Sequence, residues 1–162
     1  MIVKNCIFAL ALAGAALPGN AQSSPAHRES DDIAVVVNVA NPVDNLSPAE
    51  LRRILLGERR FWKGNVQVKL VLRDRGTRER DLILSVLLKM NNRDFAEHWR
   101  AKIFRGEAGE EPLSVDSISI AGQYVREKPS AMTFMAARDV PAALKILKLD
   151  GKLPGVPGYA IK

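Results

Sequence analysis

The fold is decided by one stretch of the chain, residues 66–90, which reads VQVKLVLRDRGTRERDLILSVLLKM. Its first seven residues alternate and then become wholly apolar, as a strand does on entering a protein core. After a polar link, apolar side chains follow the stripe of an amphipathic helix: Leu82, Ile83, Val86, Leu87 and Met90. The stretch therefore predicts a strand, a tight link and a helix in succession.

The link, RDRGTR at residues 73–78, supports two interpretations. A helix start exposes backbone N–H groups at the positive end of the helix dipole, and the surrounding arginines would favour an anion there. Short polar turns of this composition are also common, so the alternative is an ordinary solvated corner with Thr77 as the helix cap. The composition of the link does not decide between them.

Sequence signals before this stretch predict one strand and one helix. Residues 33–39 form a β-branched run, which is typical of a strand buried on both faces of an α/β sheet. Ser47 is the expected N-cap of the helix, with Pro48 at its first position and Glu50 completing a capping box. Gly57 is expected to end this helix. Its predicted buried face is Leu51, Ile54 and Leu55.

After the central stretch, Asn91 or Asn92 is expected to cap a helix that buries Phe95, Trp99 and Ile103 and stops at Gly106. Ser114 is then expected to cap a further helix, whose inward residues are Val115, Ile118, Gly122 and Val125. Residues 131–136 predict a short strand. Residues 144–149 predict another, although Pro141 could equally start a helix there. We therefore expect an α/β domain with a mostly parallel or mixed central sheet flanked by helices.

The first residues predict an export signal. Lys4 provides a positive start, residues 6–17 are uncharged and apolar, and the small residues Gly19 and Ala21 suit cleavage after Ala21. The expected organisation is a signal peptide at 1–21, a disordered leader at 22–32 and one domain at 33–162. Cys6 would leave with the signal, which excludes thiol chemistry in the exported protein.

Composition argues against several classes of function. The 24 basic and 18 acidic residues give a net charge of +6, which suits an anionic ligand or an anionic membrane surface. Basic and aromatic residues do not alternate, so nucleic acid is not an expected partner. With His27 in the leader and His98 on a helix surface, no nucleophile–base pair or metal set is apparent. We expect no enzymatic activity, no cofactor, no metal and no membrane-spanning segment.

Four motifs occur in a familiar order: the strand followed by Asn41-Pro42, the capped helix followed by Trp62, the RDRGTR link, and the segment AMTF at residues 131–134. With these motifs the chain resembles the PBP-like (type 2 periplasmic-binding) domain family. It is similar to the substrate-binding proteins of phosphate ABC transporters, in a short form with a single lobe. The resemblance covers about residues 33–149.

The resemblance implies an exported, periplasmic or secreted protein that binds phosphate or a related oxyanion for ABC-type uptake. By matching position, Arg73 would be the charged contact, Gly76 and Thr77 would supply backbone and hydroxyl donors, and Arg78 would adjoin them. An ABC permease or another envelope protein would be the partner. The link is shorter than in the family, Asp74 lies between two arginines, and the first-lobe ligand groups have no counterpart. The alternative is therefore a protein-interaction or signalling module that keeps the fold.

Overall fold

The computed structural model describes residues 29–162, where six strands form one sheet in the order β2-β6-β1-β5-β3-β4. The strands are β1 (Ile33–Asn38), β2 (Asn45–Leu46), β3 (Lys69–Arg73), β4 (Leu113–Val115), β5 (Ala131–Ala136) and β6 (Leu144–Leu149). The helices are α1 (Pro48–Leu55), α2 (Arg78–Leu82, which continues as a π-helix over Ile83–Leu88), α3 (Asn92–Phe104) and α4 (Ile118–Glu127), with a 3₁₀ turn at Ala137–Asp139.

The sheet is mixed. β1 pairs antiparallel with β5 and β6, whereas β3 runs parallel to β5 and β4, and β2 runs parallel to β6. The predicted α/β class is confirmed, and of the two predicted kinds of sheet the structure has the mixed one. Every residue of β1 and of β5 is buried, as expected for β-branched and apolar strands covered on both faces.

Side-chain alternation along β1 divides the core into two layers. Val35 and Val37 pack in the larger core with α1, the π-helical segment and α3. Ala34 and Val36 face the other side, where α4 contributes Val125. Because successive strand residues point to opposite faces, one strand can supply both cores. The helices therefore lie on both faces of the sheet.

Helix α1 forms as its capping signals predict. The Glu50 backbone N–H donates to Ser47 Oγ at 3.1 Å, and the Ser47 backbone N–H donates to Glu50 Oε2 at 2.9 Å. Hydrogen bonds from Ser47, followed by Arg59, hold the pKa of Glu50 below its ordinary value. Gly57 follows the helix at φ +67°, a conformation that favours glycine. The predicted buried residues Leu51, Ile54 and Leu55 are confirmed.

The central helix buries a different set of side chains from the set that the sequence predicts. Ile83 is buried as predicted, but Leu84 and Leu88 occupy the other core positions, and Leu82, Val86, Leu87 and Met90 are half-buried. The cause is the π-helical segment, whose wider turns shift the buried face away from a 3.6-residue period. The preceding strand also begins later than predicted, at Lys69, and Val66 is 47% exposed.

The helices in the second half need two corrections. Ser114 does not cap α4, because the chain continues as β4 alongside β3, and Ser117 Oγ instead accepts the Ile120 backbone N–H at 3.1 Å. Asn91 caps α3 as predicted, with Phe95 and Trp99 buried, but Ile103 is 36% exposed because the end of α3 extends beyond the core.

Packing decides the open prediction for residues 144–149 and separates two neighbouring aromatic side chains, Phe61 and Trp62. Residues 144–149 form strand β6 rather than a helix from Pro141. Trp62 is buried and donates from Nε1 to the Ser130 carbonyl at 2.8 Å, whereas its neighbour Phe61 is 44% exposed. Only one member of that aromatic pair therefore belongs to the core.

The predicted signal peptide lies outside the described residues, as does most of the predicted leader. The last leader residues contact the domain: Asp32 Oδ2 accepts the Gly155 backbone N–H at 2.7 Å, and the Asp31 carbonyl accepts from Arg78 at 2.9 Å. The domain boundaries themselves stay predictions. Within residues 29–162, no helix combines the length and apolar character needed to cross a membrane.

Candidate functional site

The RDRGTR link forms a tight corner between β3 and α2. Gly76 has φ +82°, which an L side chain rarely adopts. The turn is closed by Thr77, whose backbone N–H and hydroxyl both donate to the Asp74 carbonyl, at 3.3 and 2.8 Å. The strand end and the helix start are thus held in a fixed relation.

The start of α2 lacks a side-chain cap. Thr77 occupies the N-cap position with extended backbone, but its hydroxyl is used by the Asp74 carbonyl, and no side chain among residues 29–162 accepts a first-turn N–H there. Unsatisfied N–H groups at a helix start are the basis of protein anion sites. Of the predicted alternative, a solvated corner with a Thr77 cap, the structure has Thr77 at the N-cap position but no capping hydrogen bond to its side chain.

The structure brings all four predicted site residues to this corner, although both arginines are already anchored. Arg73 Nη2 donates to the Asp116 carbonyl at 2.9 Å, and Arg73 Nε is buried with no partner in the described part of the chain. Arg78 Nη1 donates to the Asp31 carbonyl at 2.9 Å. A guanidinium has several N–H donors, so each arginine keeps some of them for a ligand. That these residues bind an anion stays a prediction.

Asp74 forms no contact ion pair with its neighbouring arginines, Arg73 and Arg75, within residues 29–162. Its Oδ1 accepts from Ser114 Oγ on β4 at 2.6 Å. Arg75 is exposed and makes no hydrogen bond in the same part of the chain. The corner therefore keeps a positive character.

The structure adds Arg80, which no sequence motif singled out. The whole residue is only 7% exposed, and its guanidinium carbon lies 5.7 Å from the ring centre of Phe95. Its Nε donates to Asn92 Oδ1 at 2.7 Å, and its Nη1 donates to the Arg73 carbonyl at 3.0 Å. Arg80 thus fastens the end of β3 to α2 and α3. An arginine in the first turn of a helix ordinarily lies in solvent, so no sequence signal pointed to it.

Two carboxylates reach Arg80 only through neutral side chains. Arg80 Nη1 contacts Ser114 Oγ at 3.4 Å, and Ser114 in turn donates to Asp74. On the other side, Asn92 links Arg80 to Asp81, whose Oδ1 accepts from Asn92 at 2.7 Å. Burial lowers the pKa of Arg80, and the neighbouring Arg75 charge lowers it further, while the carboxylates oppose both effects. The group remains a buried cation.

Two cavities border this region in the described residues. The larger, about 510 Å³, lies at the opposite end of β3 and is lined by Lys69, Glu110, Tyr124 and Trp99, among others. None of the four predicted site residues lines it. The smaller, about 70 Å³, lies beside the corner and is lined by residues that include Arg75 and Arg80. The four predicted site residues do not line the smaller cavity either, but that cavity adjoins the corner through Arg75.

The loop that borders the larger cavity is fixed by Glu107. Hydrogen bonds from Arg105 and then Lys102 lower the pKa of Glu107 to about 2. The Glu107 carbonyl also accepts from Arg60 Nη1 at 2.9 Å, which ties this loop to the segment after α1. Within residues 29–162, no group of three or more histidine, cysteine or acidic side chains is arranged to hold a metal ion.

No known family profile matches the sequence. Several solved structures share the fold. A phosphate ABC transporter substrate-binding protein from Clostridium perfringens, solved with bound phosphate, matches with a TM-score of 0.65 and 18% identity over 81% of this chain and 52% of that one. PstS from Borrelia burgdorferi matches at 0.60 and 16% identity, over 76% and 49%. An ABC-type phosphate transport receptor from Vibrio cholerae matches at 0.55 and 21%, over 76% and 48%.

These likenesses define the class of fold: the chain has the periplasmic-binding-protein fold of its structural neighbours. It spans about half the length of the proteins it matches. The sequence identities are low, so the similarity concerns the fold.

Proposed function

We propose that this protein is an exported, solute-binding-like protein that binds phosphate or a related oxyanion at the β3–α2 corner. One observation supports this most directly: the start of α2 has no side-chain cap and lies beside Arg73, on a fold shared with phosphate-transport receptors. Gly76 and Thr77 would contribute donors, and Arg78 would adjoin the ligand. The proposed role requires binding only, without chemistry on the ligand.

The expected affinity is modest. A planar guanidinium matches the geometry of phosphate oxygens, and a helix start adds up to about 2 kcal/mol in a partly buried setting. Glu79 and Asp81 in the first turn of α2 repel an anion and reduce this gain. With ligand groups from one lobe only, we expect a dissociation constant of the order of 1 mM, or about −4 kcal/mol.

The test is a phosphate titration followed by the backbone amide resonances of the corner. Arg73→Ala should weaken binding at least fivefold, because it removes the charged contact. Arg126→Ala is the matched control, since it removes one exposed arginine on α4, the helix that covers the other face of the sheet. Unchanged thermal unfolding of Arg73→Ala would show that the loss of its bond to Asp116 has not altered the fold. Equal affinities for both variants would exclude Arg73 from the site.

Export and transport are part of the same proposal. The signal at residues 1–21 would be removed on export, so mass spectrometry of the protein from the cell envelope should give an N-terminus at Gln22. An ABC permease would be the partner in uptake. Recovery of only the full-length chain from the cytoplasm would refute the export step without bearing on anion binding.

A second function, a protein-interaction module, is favoured by one surface. Phe104, at the end of α3, is 93% exposed, and its neighbour Ile103 is 36% exposed. An aromatic side chain held this far in solvent is typical of a contact surface. Co-purification from the envelope at physiological salt should lose a partner with Phe104→Ser but keep it with Ile120→Ser, a control on α4. Equal recovery of the partner with both variants would show that Phe104 does not take part in the interface.

A further inference from the structure

The 70 Å³ cavity beside the corner has an unusual lining for its size. The residues that line it include two arginines, Arg75 and Arg80, together with Ser114 and Trp99. Phe95 is an apolar residue of the lining. Glu111 also lines the cavity and is exposed. The volume corresponds to a small ion or a few water molecules, and it excludes a metabolite.

Arg80 is a buried cation without a carboxylate in contact. It forms no ion pair within residues 29–162, and its Nη2 makes no hydrogen bond there. Buried charges in proteins are ordinarily paired, because transfer of an ion out of water without a partner is unfavourable. The relays through Ser114 and Asn92 bring negative charge near it without direct contact. Arg80 Nη2 is therefore the terminal nitrogen without a hydrogen bond, and Arg80 is one of the residues that line the cavity.

Trp99 provides a second, independent observation. Its side chain is 8% exposed, and its indole Nε1 is buried without a hydrogen-bond partner in the described residues. The carbons of its benzo edge lie against Gly57, which lines the larger cavity. A buried donor left unpaired is destabilising, so the Trp99 indole N–H favours an acceptor from outside the chain, and the Arg80 cation favours an acceptor that carries negative charge.

We infer that this cavity is a second oxyanion site, which adjoins the β3–α2 corner through Arg75 but is lined by none of the four residues proposed as ligands there, and that it takes one small tetrahedral anion such as inorganic phosphate or sulfate. Arg80 and Arg75 supply the charge, and the Ser114 hydroxyl and the Trp99 indole border the ligand. Glu111 weakens the site by repulsion. The second site depends on the cavity and its unpaired donors, so it holds whether or not the corner binds phosphate.

The two tryptophans make the test specific. Trp62 Nε1 donates to the Ser130 carbonyl, so its indole resonance is an internal control for that of Trp99. On titration of the purified protein with inorganic phosphate, the Trp99 indole N–H resonance should shift and saturate in the millimolar range, while the Trp62 resonance stays fixed. Sodium chloride at equal ionic strength should leave both in place.

Two exposed variants extend the test without disturbing the core. Arg75→Ala should weaken the saturable Trp99 shift at least threefold, and Glu111→Gln should strengthen it by a similar factor. A Trp99 resonance that does not saturate, or that responds identically in wild type and both variants, would overturn the inference. Shifts of the Gly76 and Thr77 amides report on the corner instead. Amide shifts lost in Arg73→Ala, with a stationary Trp99 indole, would support the corner and refute this second site.

Discussion

Replacing Gly57 with alanine tests how the end of α1 is fitted against α3. A Cβ at Gly57 would lie 2.7 Å from Trp99 Cη2 and 3.2 Å from its Cζ3, closer than atoms in a packed core can remain. The backbone φ of +67° adds a separate cost of about 1 kcal/mol for an L side chain. Displacing the buried indole resembles overpacking and costs about 1–3 kcal/mol. The free energy of unfolding should therefore fall by about 2–4 kcal/mol.

The matched control is Gly106→Ala. Gly106 follows α3 much as Gly57 follows α1, with φ +70°, but a Cβ at Gly106 would have no atom within 4 Å, so this variant bears the backbone cost alone. Its free energy of unfolding, measured in urea, should lie within about 1 kcal/mol of the wild-type value. The melting temperature of Gly57→Ala should fall by about 10 °C. Trp99→Phe should lessen the effect of Gly57→Ala, because the smaller ring leaves room. Equal losses for the two glycine variants would refute the packing argument.

Three further perturbations give independent checks. Ser47→Ala removes the acceptor for the Glu50 N–H and should cost about 1 kcal/mol in urea unfolding; no loss would mean that the capping box does not stabilise α1. Tyr159→Phe removes a buried hydrogen bond to a carbonyl of β1 and should cost about 1–2 kcal/mol, with an unchanged Tm contradicting it. The pKa of Glu107 lies at about 2, below its ordinary 4.5, so its stabilising contribution is complete above pH 4.5 and is lost as pH falls towards 2. An NMR titration of the Glu107 carboxyl group with a midpoint near 4.5 would show that the hydrogen bonds from Arg105 and Lys102 do not form in solution.

Elements with local determinants could be predicted from the sequence. The start of α1 is specified by Ser47, Pro48 and Glu50, whose hydrogen bonds form within one helical turn, so no distant contact is needed to predict it. β1 is equally predictable, because a run of β-branched residues suits a strand covered on both faces. The α/β class follows from such elements taken in order.

Features that depend on distant packing could not be predicted in this way. Ser114 has the composition of a helix cap, but pairing with β3 draws it into a strand. The buried face of the central helix follows a π-helical segment, which no residue pattern specifies. The corner was located from its arginines and glycine, yet its network depends on Arg80, which is buried only because Asn92, Ser114 and Phe95 come from other elements. Local composition thus predicts the candidate site, whereas the surrounding network depends on tertiary contacts.

The position of β1 has a consequence for how the chain is made. Val35 lies opposite Phe134 on one side and Leu147 on the other, so the strand in the interior of the sheet meets both partners only after about 100 further residues have been synthesised. During translation, β1, with five aliphatic residues and Asn38, is therefore made long before its partner strands. The interior of the sheet can be completed only when β5 and β6 are both present, because these strands are the two neighbours of β1.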